Sequence, residues 1–273
     1  MIPKLFEMKE KTTLITGAAG FLGLKHAYAL AELNSTLILT DIEEDKLFDV
    51  KKQVSTKFPN IEILTFVMDV SSTEAIEKVS NQLQETSVKV DVLINNAAIN
   101  PIESELSFNS RIEHLSIARL QNEINVGLLG ALQCSRIFGK SMAENKQGSI
   151  INIASDLSVI SPNQTIYKID GIEESEQKVK PVSYSIIKTG LIGLTRYLAT
   201  YWATSNVRVN AISPGGVFNK HDIEFERKIS ELIPMGRMCL DWELIGAVQF
   251  LASNASSYMT GQNLVIDGGR SIW

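Results

Sequence analysis

The sequence predicts an α/β fold of the doubly wound type, a mostly parallel seven-stranded sheet with helices on both faces, in a single domain over residues 1–273. Three observations carry that expectation. Seven short β-branched runs recur along the chain, most of them continuously apolar, as strands buried on both faces are. Longer amphipathic segments separate them, giving the order β-α-β-α. A glycine-rich turn joins the first run to the first helical segment.

The first run is TTLIT at Thr12–Thr16, followed by TLILT at 36–40, IEILTFV at 61–67 and VDVLIN at 90–95. SIINI at 149–153, VRVNAI at 207–212 and LVI at 264–266 complete the set. Helical patterns fall near 22–33, 73–85, 112–143, 185–204 and 241–253, and another helix begins near Glu43. Ser71 and Glu74 have the spacing of a capping box at the start of the 73–85 helix. Residues 156–183 break the alternation: a polar insertion rich in Lys and Glu, expected at the surface and long enough either to serve function or to be a tolerated excursion.

Composition narrows the partners. Basic residues number 26 and acidic residues 31, a net charge of −5 and a pI near 5.4, which argues against a nucleic-acid partner. Cys134 and Cys239 form no CxxC pair and no zinc spacing, and read as small apolar residues in a reducing compartment. No long uncharged apolar run marks a membrane span, and the charged start has no signal-peptide core, so a cytoplasmic location with no membrane partner is expected. His26 and His114 have no partner spacing, and no metal site is visible.

Two motifs carry chemistry. The first is Gly17-Ala18-Ala19-Gly20-Phe21-Leu22-Gly23, between strand and helix. Glycine there lets main-chain amides approach a pyrophosphate at a helix N-terminus. Asp41, 18 residues past Gly23, ends the second strand. Its carboxylate suits the adenosine ribose hydroxyls and repels a 2′-phosphate, so NAD is expected over NADP. Asp41 also reads as an N-cap for the following helix. The second motif is Tyr184-Ser185-Ile186-Ile187-Lys188, whose spacing of four sets phenol and ammonium on one helical face. An ammonium beside a phenol stabilises the phenolate and lowers its pKa toward a working range.

Together with Asp69-Val70, Asn95-Asn96-Ala97-Ala98, Asn125 in EINVG, Ser155 in INIAS, Ser213-Pro214-Gly215-Gly216 and Asp267-Gly268-Gly269, in this order, these motifs resemble the short-chain dehydrogenase/reductase family over nearly the full length, with its Rossmann fold. The resemblance implies that Tyr184 exchanges the substrate proton, that Lys188 lowers its pKa and holds the nicotinamide ribose, and that Ser155 orients the substrate oxygen. It implies that Asn125 holds a relay water. It places Gly17, Ala19, Gly20, Phe21, Leu22, Asp41, Asp69, Val70, Asn95, Ala97, Pro214, Gly215 and Val217 along the cofactor. It further implies a small-molecule substrate and a homodimer or homotetramer built on the 112–143 and 185–204 helices.

Three departures matter. Phe21 stands where shorter family members carry glycine, a loop form similar to that of nucleotide-sugar enzymes. Ala98 replaces a glycine. Ser155 and Tyr184 stand 29 residues apart, wider than is usual, which leaves Ser158 and Ser161 as rival hydroxyls. The insertion and a second segment at 216–238, with Asn219, His221, Phe225 and Arg237, are expected to rim the substrate pocket; Arg237 reads best as a structural ion pair. The leading expectation is an alcohol/ketone oxidoreductase acting on a polar substrate, a sugar or surface-glycan precursor. The chain is also similar to a bacterial subgroup tied to flagellin-modifying or surface sugars. A nucleotide-sugar epimerase or dehydratase that retains its NAD, and an NAD-binding sensor without turnover, are the alternatives.

Overall fold

The computed structural model describes residues 4–100, 106 and 108–273. The seven runs form β1 (Thr12–Thr16), β2 (Thr36–Asp41), β3 (Ile63–Val67), β4 (Val92–Asn95), β5 (Gly148–Ile153), β6 (Val207–Pro214) and β7 (Asn263–Ile266). They pair in one sheet in the order β3-β2-β1-β4-β5-β6-β7, parallel throughout. The long helices are α1 (Phe21–Glu32), α2 (Glu44–Lys57), α3 (Thr73–Glu85), α4 (Ile117–Ile124), α5 (Gly130–Glu144), α6 (Val182–Tyr201), α7 (Ile223–Ser230) and α8 (Ile245–Ala252).

The continuous apolar runs have their cause in the layering. Successive strand residues face opposite sides, and both sides are dry. Ile15, Leu37, Leu39, Val92 and Ile94 pack with residues of α1, α2 and α8. Leu14, Ile38, Leu93 and Ile150 pack with residues of α3, α5 and α6. Each such Leu or Ile contributes about 1.5–3 kcal/mol by leaving water, so a slip of one residue would have nothing to gain. Strand order reverses between β1 and β4, and the crevice outside the carboxyl ends of the strands opens there.

Several boundaries differ from the sequence reading. The 112–143 pattern is not one helix. A short 3-10 turn at Ile112–His114 is followed by α4, whose start is set by the Ser116 hydroxyl accepting the Arg119 amide at 3.3 Å. A π-turn at Asn125–Leu129 then inserts an extra residue before α5. The cap of α3 is Ser72, which accepts the Ala75 amide at 3.2 Å, while Ser71 bonds the Asp69 carboxylate instead. α7 lies inside the 216–238 segment and is capped by Asp222, which accepts the amides of Glu224 and Phe225.

The insertion is ordered by its own polar and apolar anchors. The buried Gln177 side chain accepts the Ile169 amide at 2.8 Å and donates to the Ile169 and Ile172 carbonyls at 2.9 and 2.7 Å. Ile166 is buried with Ile229, Ile233 and Met238. Lys228 on α7 donates to the Lys168 carbonyl at 2.9 Å. The two expected rims are therefore packed on each other. No described helix is long and apolar enough to cross a membrane.

Candidate active site

The turn after β1 is held against the end of β4. Gly17 sits at φ +62, and a Cβ there would lie 2.7 Å from the Ala97 Cα. The Asn96 side-chain amide donates to the Thr16 and Gly17 carbonyls at 3.1 and 2.9 Å. Gly20 then caps α1 without any side-chain bond to its first-turn amides and with no acidic residue in that turn. Those amides are the orphan donors that suit a pyrophosphate. Asp41 closes the neighbouring edge. Its Oδ2 accepts the Ala19 amide at 3.0 Å, and its Oδ1 accepts the Ile42 and Glu43 amides at 2.8 and 3.3 Å. It is not the N-cap of α2, a position taken by Glu43.

A cavity of about 710 Å³ runs from this turn along the strand ends to β6. Gly17, Ala19, Gly20, Phe21, Leu22, Asp41, Asp69, Val70, Ala97, Pro214, Gly215 and Val217 all line it, and so do Ser155, Tyr184 and Lys188. Asn95 does not. Its side chain turns into the sheet, donating to Asn152 at 2.8 Å and Ser135 at 3.0 Å, and Asn96 lines the cavity instead. Asn125 opens the π-turn as an exposed residue, and the cavity wall at that helix is made by Asn122 and Val126.

Ser155 is the hydroxyl at the cavity. It lies two residues past the end of β5, not on the strand itself, and caps the 3-10 turn Asp156–Ser158. It is buried, and its Oγ accepts the Leu157 amide at 3.2 Å and donates to Asp156 Oδ1 at 3.0 Å. Ser158 is instead bonded to Ser213 at 3.1 Å, and Ser161 is exposed; neither lines the cavity. Tyr184 stands on the same cavity wall as Ser155. Lys188 is buried, with Nζ donating to the Ile153 carbonyl at 2.7 Å and lying 5.6 Å from the Tyr184 ring centre.

The electrostatics correct one expectation. Lys188 does not pull Tyr184 down in this geometry. Burial pushes the phenol up to about 12; the Ser155 hydroxyl opposes that and the nearby Asp156 charge adds to it. Lys188 is itself drawn down to about 8, first by burial and then by the Lys180 charge. Lys180 was not singled out by sequence, yet its Nζ lies 4.0 Å over the Tyr184 ring and donates to Asn100 Oδ1 at 2.8 Å. Its position four residues before Tyr184 was the available signal.

The far end of the cavity adds Tyr167, Asn219, His221, Phe225, Asp156 and Arg270. Phe225 lies 5.6 Å from Tyr167 and 5.4 Å from His221, ring centre to ring centre. Arg237 is a structural partner as expected, with a two-pronged pair to Glu243 at 2.7 Å on each prong. His26, behind the glycine turn, is buried and held neutral, its pKa drawn down to about 4 by burial. Among the described residues no group of three His, Cys, Asp or Glu side chains could hold a metal.

A glycine turn at the switch point of a parallel sheet, with a tyrosine, a lysine and a serine on the same cavity, defines a nicotinamide-dependent oxidoreductase acting on CH–OH or carbonyl groups. The chain belongs to the short-chain dehydrogenase/reductase family: a family model described as enoyl-(acyl carrier protein) reductase matches residues 17–271. It is 30% identical to an NAD-dependent glycerol dehydrogenase of Listeria innocua, over 98% of this chain and 97% of the relative. It is 31% identical to an NADP-dependent mannitol dehydrogenase of Hypocrea jecorina, over 97% and 94% respectively. A crystal structure of a putative gluconate dehydrogenase from Agrobacterium tumefaciens superposes with a TM-score of 0.86 at 25% identity, covering 98% of this chain and 99% of that one.

Proposed function

We propose that the protein interconverts a secondary alcohol and a ketone by hydride transfer with NAD(H), on a polar hydroxylated substrate such as a sugar or a surface-glycan precursor. The observation that carries this reading is that Ser155, Tyr184 and Lys188 line the same cavity as the glycine turn and Asp41. The residues fit a dinucleotide. The uncapped amides of α1 would take the pyrophosphate, Asp41 the adenosine ribose, and Lys188 the nicotinamide ribose. The preference for NAD rests on the Asp41 carboxylate, and the nearby Lys46 is already paired with Glu43 at 2.7 Å. When bound, the nicotinamide accepts or supplies the hydride.

The chain's own residues handle the oxygen and its proton. Tyr184, protonated at neutral pH, donates its proton to the carbonyl oxygen during reduction and is left as the phenolate; in oxidation it is that phenolate that takes the hydroxyl proton. Ser155, fixed just past β5 as the cap of the following 3-10 turn, holds that oxygen within reach of Tyr184. Lys188, anchored on the Ile153 carbonyl, keeps a positive charge beside the phenol while it is protonated itself. Relatives named for glycerol and mannitol, and a cavity end that mixes aromatic rings with an ion pair, support a polar substrate. Exposed, stacked Tyr197 and Tyr201 on α6 support self-association as a dimer or tetramer.

The test is a screen of sugar, steroid and acyl ketones by NADH consumption, repeated with Tyr184→Phe. Turnover of polyhydroxylated ketones that vanishes in the variant is expected; activity confined to acyl thioesters refutes the substrate class.

A further inference from the structure

The Asp267-Gly268-Gly269 motif has a structural task that points into the cavity. Gly268 and Gly269 take φ +66 and +90, and the Asp267 carboxylate accepts the Gly269 amide at 2.9 Å and the Ser271 amide at 2.7 Å. This sharp turn carries Arg270 inward, where it is buried and lines the cavity. Its Nη1 donates to Asp156 Oδ2 at 2.8 Å. The other carboxylate oxygen, Oδ1, accepts from Ser155 at 3.0 Å. An aspartate and an arginine, each more than nine-tenths buried, thus stand one and two hydrogen bonds from the serine proposed to hold the reacting oxygen.

A buried ion pair is rarely kept for stability, because the cost of desolvating both charges cancels most of their attraction. Here it faces a binding cavity. A guanidinium has five N–H donors, and among the described residues Arg270 commits only Nη1 to a side-chain partner. Each carboxylate oxygen has two acceptor positions, and each oxygen of Asp156 has one side-chain partner. The pair therefore presents unused donors and acceptors side by side, with no net charge. A hydroxyl, which both donates and accepts, matches that surface. A carboxylate does not, since it would meet Asp156.

We propose that Asp156 and Arg270 form a subsite for the hydroxyl on the carbon next to the reacting carbon, so that the substrate is a vicinal diol or its α-hydroxyketone. The spacing agrees. Two gauche oxygens on adjacent carbons lie about one hydrogen-bond length apart, and Ser155 Oγ and Asp156 Oδ1 are 3.0 Å apart. The inference rests on the proposed alcohol/ketone chemistry at Ser155 and Tyr184 and adds the recognition of a second oxygen.

The experiment compares kcat/KM for cyclohexanol with the cis and trans cyclohexane-1,2-diols, and for propan-2-ol with lactate, using NAD+ and NADP+. The same ratios are then measured in Asp156→Asn/Arg270→Gln, which removes both charges together and leaves no lone buried ion. Ratios within one preparation are unaffected by the fraction of folded enzyme. A diol is expected to exceed cyclohexanol by at least about tenfold, the scale of one hydrogen bond to a charged group, and the double substitution is expected to bring the ratio close to one. A ratio near one in the unaltered enzyme, a ratio that survives the double substitution, or a preference for lactate without one for the diols overturns the subsite. Turnover that Tyr184→Phe abolishes, with no diol preference, leaves the underlying chemistry standing and removes only the subsite. No turnover of any alcohol overturns both.

Discussion

Replacing Gly17 by alanine tests whether the turn after β1 is built for close approach. The residue sits at φ +62, and the new Cβ would lie 2.7 Å from the Ala97 Cα, 3.1 Å from the Ala97 amide nitrogen and 3.2 Å from Asn96 Nδ2. Two of those atoms are backbone at the end of β4, which cannot rotate away. The left-handed conformation costs an alanine about 1–2 kcal/mol, and overpacking against fixed atoms adds about 1–3 kcal/mol. A total near 3 kcal/mol corresponds to a fall in Tm of roughly 6–12 °C for a chain of this size. The clash can be relieved only by parting the turn from β4, which also displaces the amides proposed to hold the pyrophosphate. Calorimetric titration should show NADH affinity reduced at least about tenfold, with calorimetric unfolding reporting the loss of Tm. Gly246→Ala is the control. No atom lies within 4 Å of its Cβ position on α8, and it should stabilise by about 0.5–1 kcal/mol without touching NADH binding. A Gly17→Ala protein with unchanged Tm and NADH affinity refutes the close-approach argument.

Three further outcomes are expected. Ser155→Ala should lower kcat about 10²–10³-fold, the scale of losing an oxygen-positioning hydrogen bond, and a near-normal rate would transfer the role to another hydroxyl. Asp41→Ala should weaken NADH binding about tenfold, as for a hydrogen bond to a charged group, and narrow the ratio of NADPH to NADH dissociation constants; tighter NADPH binding by the unaltered protein would sink the cofactor preference. Since burial pushes Tyr184 up to about 12, the phenolate becomes more populated as pH rises toward that value. Alcohol oxidation, for which we propose the Tyr184 phenolate as proton acceptor, should therefore increase from about pH 7 to 10, while ketone reduction stays level or declines. A pH-independent oxidation rate would show that another group takes the proton.

The layers were legible because each strand is apolar on both faces, and nothing but a sheet sandwiched between helices buries Leu14 and Ile15 in opposite directions at once. The glycine turn, Asp41, Ser155, Tyr184 and Lys188 were legible because local chemistry demands particular residue types there. What escaped depends on neighbours distant in sequence. Asn95 and Asn96 are equivalent by composition, and only the pleat decides that one reaches Asn152 inside the sheet while the other braces Thr16 and Gly17. The break in the 112–143 pattern follows from one serine cap and a π-turn that no apolar spacing reports. The insertion reads as polar because its anchoring groups, Gln177 and Ile166, are few among many charges, and their partners lie outside the segment or several residues away.

The electrostatic reading of the tyrosine shows the same limit at the level of chemistry. A spacing of four brings Lys188 to the correct face, but one of its three N–H donors goes to the Ile153 carbonyl at 2.7 Å and Nζ stands 5.6 Å from the ring centre. The loss of water around the buried phenol dominates its titration, and the charge of Asp156 adds to it. Asp156 could not be weighed from sequence because its effect depends on Arg270, 114 positions away, which pairs with it. One carboxylate therefore enters two balances at once. It accepts the Ser155 hydroxyl and holds it in place, and its charge adds to the upward push that burial gives the Tyr184 phenol. Burying that carboxylate also calls for the arginine that the double-glycine turn delivers.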